Sequence, residues 1–493
     1  MPTDRRVVLV FVVDGLRPDS IAVEDTPTLF RLRTEGVELV NSHAVFPTVT
    51  RVNAAAIATG TQPGTNGLVG NQMFVPAVDA RRAFDTGNYR NLLALERATG
   101  GRVLQVRTLA ERLHARGLAL AGVSSGSTGS AFLLNPKSLE GVGTLVNGYL
   151  DPGKTVAYPA AVSEAILARF GPAPVKAPGG ARFDAPVGWT QRVLREYVFP
   201  ELAPDVVINW LTEPDHSQHH VGVGSPAARE ALRNDDREIA QVLAAVDRLG
   251  LASSTSVLVI SDHGFTTNTA GVDVAGALVE AKLKDAADST DVILASSGQA
   301  VALHVGHHDP DRVARLVRFI QAQDWGGVVF SAEPVAGAFP LELINVSNRD
   351  RGPDLLFTFP WTSRRSAFGV PGTDLANVSA GGTPYASDHG SMSPWNVRST
   401  FLAWGAGVRK GITGRAPAGN VDVTPTVLAL LGLEGEAGLD GRAVTEALEG
   451  GPDPEEVAVE TRVHTATTGG YRAALQISTV GGRRYVDKSW RIG

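Results

Sequence analysis

Val7–Val13 (VVLVFVV) is apolar at all seven positions and stops abruptly on Asp14. A run without polar alternation is what a strand covered on both faces requires. Leu118–Val123, Asp205–Leu211 and Ser256–Ile260 repeat this pattern with little interruption. Between these runs the apolar period lengthens to that of a helix. Thr26-Pro27 offers an N-cap and a first-turn proline to a short helix ending before Gly36. Thr108–Arg116 places Leu109 and Leu113 four apart and stops at Gly117. Pro226–Leu249 carries Ile239, Val242, Leu243 and Val246 on one stripe. The stretch FPTVTRVNAAAIATG contains a good helix former that closes at Gly60. Strand–helix alternation of this kind predicts an α/β fold: a mainly parallel sheet sandwiched by helices.

Two stretches fit the alternation badly. Residues from about 135 to 190 are rich in Pro, Gly and Ala, and those from about 267 to 385 hold their own strand Gln299–Val305 and helix Asp309–Asp324. Both are read as insertions capping the sheet. The core resumes at Val397–Trp404 and the helix Val423–Leu431. The expected organisation is one domain over 1–445 with these insertions, then a tail over 446–493 packed on it. Within the tail, Ala458–Ile492 reads as short strands around Gly469-Gly470 and Gly481-Gly482.

Composition narrows the classes of function. At 493 residues and 43% hydrophobic the chain can bury a large core. Its formal charge of −6 and lack of a basic run leave no electrostatic footprint for a nucleic-acid polymer or a membrane surface. The first apolar run is too short to span a bilayer. With no cysteine, disulfides, thiolate zinc sites and a cysteine nucleophile are excluded. The absence of a signal peptide favours the cytoplasm, with a mature secreted or periplasmic form left open. Oligomeric state is not specified.

Candidate chemistry gathers where the apolar runs end, since residues just past the carboxyl ends of strands in an open α/β sheet converge on one crevice. Asp14 follows the first run, where an unpaired carboxylate is costly and a cation is a natural partner. An Asx turn at Gly15 is the competing reading. Asp215 and His219 are four apart, so one helical turn would let both chelate a cation, with a capping aspartate in a solvated loop as the alternative. His216 and His220 flank them. Asp262-His263 follows Ser256–Ile260 closely, as ligands or as an aspartate turn with a structural histidine. Thr50 stands at a helix start, where amides and dipole favour an anion, although most such threonines are caps. Its hydroxyl becomes a nucleophile only if a base or metal lowers its pKa. Oxygen and imidazole ligands of this mix suit zinc or manganese.

In order along the chain, Asp, Thr, Asn, Asp-x-x-x-His, Asp-His-Gly and a final His-Gly resemble the alkaline phosphatase superfamily, in detail its type I phosphodiesterase and nucleotide pyrophosphatase branch. The resemblance runs from Val7 to about Arg442 and implies an alkaline phosphatase-like catalytic domain. FPTVTRVNAAAIATGTQPGTNGLVGN is similar to that branch's nucleophile segment, implying Thr50 as attacking residue and Asn71 as a contact to the phosphoryl oxygen. It further implies two divalent metal ions, Zn2+ foremost with Mn2+ as the alternative. Asp215, His219 and His389 (from Ser-Asp-His-Gly at 387–390) would hold one; Asp14, Asp262 and His263 would hold the other with Thr50. NVDVTPTVLALLGL followed by DGR resembles the superfamily's closing helix and loop. Val52 and Gln218 stand where the branch commonly has proline and glycine, and are expected to alter substrate contacts. Arg51, directly after Thr50, is a candidate contact to a substrate phosphate, with an exposed arginine of no special role as the competing reading.

Threonine-type phosphomonoesterases and phosphonoacetate hydrolases of the superfamily carry Lys or Arg on the loop after the strand at Leu118–Val123. Here that loop reads VSSGSTGSAFLLN, with Ser125, Ser127 and Thr128 but no cation before Lys137. A monoanionic diester needs less positive charge. The resemblance therefore implies hydrolysis of a phosphodiester or pyrophosphate in a small phosphorylated substrate, through a phosphothreonine intermediate. The alternatives are a phosphomonoesterase or phosphonate hydrolase and, in another class, a catalytically silent metal-binding protein. The sulfatase nucleophile motif is absent.

Overall fold

The computed structural model describes residues 5–175, 182–433 and 435–492. Val7–Val13 lies at the centre of a nine-stranded sheet. It runs parallel to Val206–Leu211 on one side and Thr255–Ile260 on the other, with Val8 opposite Val206 and Ser256. Beyond Val206–Leu211 come Leu120–Ser124 and Thr144–Asp151, both parallel, then an antiparallel edge at Thr155–Tyr158. Beyond Thr255–Ile260 come Phe401–Gly405 and Val37–Leu39, each antiparallel to its inner neighbour, then Ile412–Gly414.

The unbroken apolar pattern of Val7–Val13 follows from burial on both faces. Val8, Val10 and Val12 pack with Ala54, Ile57, Leu109, Leu113, Phe132 and Val427, from helices on one side of the sheet. Val7, Leu9, Phe11 and Val13 pack with Leu29, Leu32, Ile166, Ile239 and Val242, from helices on the other. At about 25 cal/mol per Å² of apolar surface, such double-sided burial is the main stabilising contribution.

Several elements depart from expectation. In the stretch read as a first capping insertion, Thr144–Asp151 and Thr155–Tyr158 extend the main sheet, and Ala160–Phe170 buries Val162 and Ile166 against it. Its Gly and Pro residues interrupt the apolar period and disguise these elements; residues 176–181 lie outside the described residues. The second stretch builds a five-stranded sheet that includes Ala300–Val305, covered by the helix Pro310–Ala322 around its own apolar cluster. A four-stranded sheet joins it to the core, pairing Ser387–Asp388 with Thr266 and Thr267.

Val397–Trp404 is not one strand. Val397 closes a helical turn begun at Pro394 and capped by Ser393, and the strand starts at Phe401. Thr26 does not cap Pro27–Glu35 with its side chain; its hydroxyl donates to Ala22 O at 3.0 Å. Asp236 of the long helix Pro226–Arg248 accepts the free amides of Thr28 and Leu29 instead, at 3.1 and 2.8 Å. The tail forms three strands of nine or ten residues, not short ones: Glu460–Thr468, Tyr471–Val480 and Arg483–Arg491. Tyr471, Ala473, Leu475 and Ile477 join the large core cluster. No helix among the described residues is long and apolar enough to cross a membrane.

Candidate active site

The central strands deliver their carboxylates to one point. Asp14 ends Val7–Val13, Asp215 opens the helix Asp215–Val221 beyond Val206–Leu211, and Asp262 and His263 follow Thr255–Ile260. His389 arrives from the short strand Ser387–Asp388. Thr50 is the first residue of the helix Thr50–Thr59, and its Oγ1 lies 3.3 Å from His263 Nε2. From His263 Nε2 it is 3.0 Å to Asp262 Oδ2, 3.6 Å to Asp14 Oδ1 and 4.0 Å to Asp215 Oδ1. Asp215 Oδ1 is 3.4 Å from His219 Nε2 and 3.5 Å from His389 Nε2. The His263 and His389 rings stack with centroids 3.6 Å apart. Ligand atoms of Asp215, His219 and His389 lie within 4.8 Å of one another, as do those of Asp14, Asp215 and His263. Asp215 thus belongs to both groups, while Asp262 meets the second through His263.

These donors fit divalent cations. Asp14 Oδ1, Asp215 Oδ1 and Asp262 Oδ2 are buried without a hydrogen-bond partner. The other oxygen of Asp14 accepts from Trp210 Nε1 at 2.9 Å, and that of Asp262 from the Gly15 amide at 3.0 Å. Each histidine directs Nδ1 at a backbone carbonyl: His219 at Ser387 O, His263 at Gly264 O and His389 at Thr48 O, at 3.0 to 3.1 Å. A carbonyl only accepts, so Nδ1 carries a proton and Nε2 faces the cluster; in the neutral ring this is the tautomer a metal ligand needs.

Without a cation the cluster is electrostatically strained. Burial, then Asp215 and Asp262, push the Asp14 carboxyl well above the ordinary range. Burial opposes ionisation of Asp215 too, but His219, His389 and His263 together hold it below the usual carboxylate value. His219 is pulled up to about 9 by Asp215 and Asp388 against the effect of its own burial. Burial and the neighbouring His263 drive His389 well down.

A cavity of about 720 Å³ opens over the cluster, lined by Thr50, Arg51, Asn71, Asp215, His219 and His389 among others. Asn71 Oδ1 accepts the Arg51 amide at 3.2 Å, so its NH2 group is the part that can donate. The stretch VSSGSTGSAFLLN, expected to be a loop, turns only at Ser125–Ser127 and then forms the helix Thr128–Leu134; of it, only Gly126 and Ser127 line the cavity. Ser125 turns away to accept the Thr212 amide at 3.0 Å. Val52 and Gln218, expected to alter substrate contacts, do not line it. Val52 packs with Val49, Ala56 and Val421, because two residues along a helix from Thr50 is a rotation of about 200°. Gln218 is buried, donating to Gly15 O at 3.1 Å.

Sequence reasoning missed the residues that support these groups. Asn420 donates to Asp262 O at 2.7 Å and to Asn53 Oδ1 at 3.0 Å, tying the Thr50 helix to the end of a central strand. Trp210 had a signal in the chain, since an indole N–H in a fully buried run needs an acceptor.

The type I phosphodiesterase / nucleotide pyrophosphatase family model matches residues 8–357. The chain belongs to that family. His389 and the closing helix lie beyond the matched span. Mouse ectonucleotide pyrophosphatase/phosphodiesterase family member 1 is 24% identical over 258 residues, 52% of this chain and 24% of that protein. A venom phosphodiesterase of Naja atra is 31% identical over 90 residues, 18% of this chain and 11% of that protein. The aligned parts thus span a quarter or less of these relatives. Among solved structures, human ectonucleotide pyrophosphatase/phosphodiesterase 5 superposes with a TM-score of 0.62 at 17% identity, covering 90% of this chain and all of that one. An inactive threonine-to-alanine variant of the murine protein in complex with AMP gives 0.61 at 18%, with the same coverage. At these identities the shared property is the fold.

Proposed function

We propose that this protein is a metal-dependent hydrolase of phosphodiester or pyrophosphate bonds in small phosphorylated substrates, acting through a phosphothreonine intermediate. The observation that carries the reading is Thr50 Oγ1 at a helix N-terminus, 3.3 Å from His263 Nε2 and beside the unpartnered oxygens of Asp14, Asp215 and Asp262. Asp215, His219 and His389 would hold one divalent ion, and Asp14, Asp262 and His263 the other together with Thr50. When bound, the ions, Zn2+ or alternatively Mn2+, supply the positive charge that lowers the hydroxyl pKa and neutralises phosphoryl oxygens.

In this mechanism the deprotonated Thr50 oxygen attacks phosphorus in line, and the leaving oxygen departs with the electron pair of the broken P–O bond. The Asn71 amide donates to the phosphoryl oxygens, and the helix Thr50–Thr59 turns the positive end of its dipole towards them. Water then takes the place of Thr50 on phosphorus. Arg51 contacts a substrate oxygen. Family membership supports the chemistry, as do the pyrophosphatase and phosphodiesterase names of the relatives and the threonine-to-alanine replacement in an inactive relative that holds AMP. The cytoplasmic expectation has no support in the relatives, two of which are named as an ectoenzyme and a venom enzyme.

The uncharged segment Ser124–Asn135, whose second half is the helix Thr128–Leu134, favours diesters over monoesters. The test is kcat/KM on bis-p-nitrophenyl phosphate, p-nitrophenyl phosphate, p-nitrophenyl phenylphosphonate and a p-nitrophenyl ester of thymidine monophosphate, with zinc or manganese. Faster turnover of the diesters is expected. Better hydrolysis of p-nitrophenyl phosphate than of its bis ester would replace this reading with a monoesterase, and no turnover of any member would reject it.

A further inference from the structure

Among the described residues lining the cavity, Arg51 is the sole lysine or arginine. It follows Thr50 on the same helix, and its side chain is 19% exposed. Its guanidinium is incompletely used: Nε is buried without a partner, and Nη2 reaches Asp85 Oδ1 at a long 3.4 Å. The Asp85 side chain is 56% exposed, so the attraction within the pair contributes little to stability. Its position is nevertheless fixed, because Asp85 Oδ1 also accepts the Gly87 amide at 2.8 Å.

The turn that carries Asp85 is fastened to the first turn of the helix Thr128–Leu134, within the segment that lacks a cation. Gly129 N and Thr128 Oγ1 both donate to Gly87 O, at 2.8 and 3.3 Å. A Cβ on Gly129 would stand 1.9 Å from Thr86 O, so this approach needs glycine. A Cβ on Gly87 would lie 3.0 Å from Asp85 Oδ1 and 3.3 Å from Arg51 Cζ, so the ion pair rests directly on this backbone.

We propose that Asp85 is a specificity-determining residue: by holding a negative charge against Arg51, the sole lysine or arginine among the described residues lining the cavity, it offsets that charge and biases the site towards phosphoesters of single charge. The inference rests on the phosphoesterase reading and adds to it the residue that sets the charge preference. A substrate with a second phosphoryl charge needs the whole of the Arg51 charge in a partly desolvated cavity, and meets the Asp85 carboxylate there as well. A diester meets neither demand.

Asp85→Asn tests this, since Asn keeps an oxygen to accept the Gly87 amide while removing the charge. The readout is the ratio of kcat/KM for p-nitrophenyl phosphate to that for bis-p-nitrophenyl phosphate, in the zinc-loaded protein. The variant should raise this ratio about tenfold, mainly through a lower KM for the monoester, and adding Arg51→Ala should abolish the gain. Diester turnover with a ratio within about twofold of wild type would overturn the role of Asp85 alone, and so would a gain that survives Arg51→Ala. A wild type that hydrolyses neither ester would overturn the phosphoesterase reading, and this inference with it.

Discussion

The Thr50 hydroxyl points at an imidazole nitrogen, whereas the Thr26 and Thr59 hydroxyls satisfy backbone carbonyls. On the phosphothreonine proposal, that difference marks Thr50 as the nucleophile and the other two as structural. Thr50→Ala should lower kcat by several orders of magnitude while leaving the melting temperature and most of the bound metal unchanged, because covalent attack is lost but only one of several donors is removed. Near-normal kcat would reduce Thr50 to a helix-start residue. His219 makes a second prediction. Its folded-state pKa is raised from 6.5 to about 9, so below that value the ring is protonated and a cation must displace the proton. Apparent zinc affinity should therefore climb as pH rises from 6.5 to about 9 and flatten above it, as read by competition with a chromophoric chelator. For the metal-free fold the sign is opposite: the pairing stabilises fully below 6.5 and is lost as pH rises through about 9. A flat affinity profile would remove His219 from the ligand set.

At the scale of elements, the helix Pro27–Glu35 depends on a cap that its own sequence does not contain. Asp236, from a helix some two hundred residues later, accepts the Thr28 and Leu29 amides. Asp236→Ala should cost about 1 kcal/mol of stability with activity retained, whereas Thr26→Ala should cost less at this helix start; comparison of thermal midpoints decides between them. The long strands and the amphipathic helix Pro226–Arg248 were legible because one residue type dictates each position along them. Thr144–Asp151 and Thr155–Tyr158 were not, because Asn147 and Gly148 break the first pattern and the second is only four residues long, so a local pattern cannot tell them from loop.

At the scale of the molecule, the sheet brings three unpartnered buried carboxylate oxygens to one point, an arrangement that like charges oppose and a bound cation relieves. Chelation should lower the melting temperature and added zinc should restore it, since a ligand that binds only the folded state stabilises that state. A midpoint indifferent to both treatments would mean that the cluster holds no ion. Asp14, Asp215, His219, Asp262 and His263 were readable from the chain because each follows closely after an apolar strand, and the end of a strand is a local property. His389 was not readable by spacing, since a two-residue strand has no period; only the resemblance named it. Asp215 lying between both candidate ligand groups, the choice of Asp14 as acceptor for the Trp210 indole, Asn420 behind Asp262, Val52 turned into the core and Asp85 set against Arg51 were decided by the tertiary structure alone. Most of these contacts join segments far apart along the chain, and hydrophobic periodicity reports which face of an element is buried but not which distant residue it meets there.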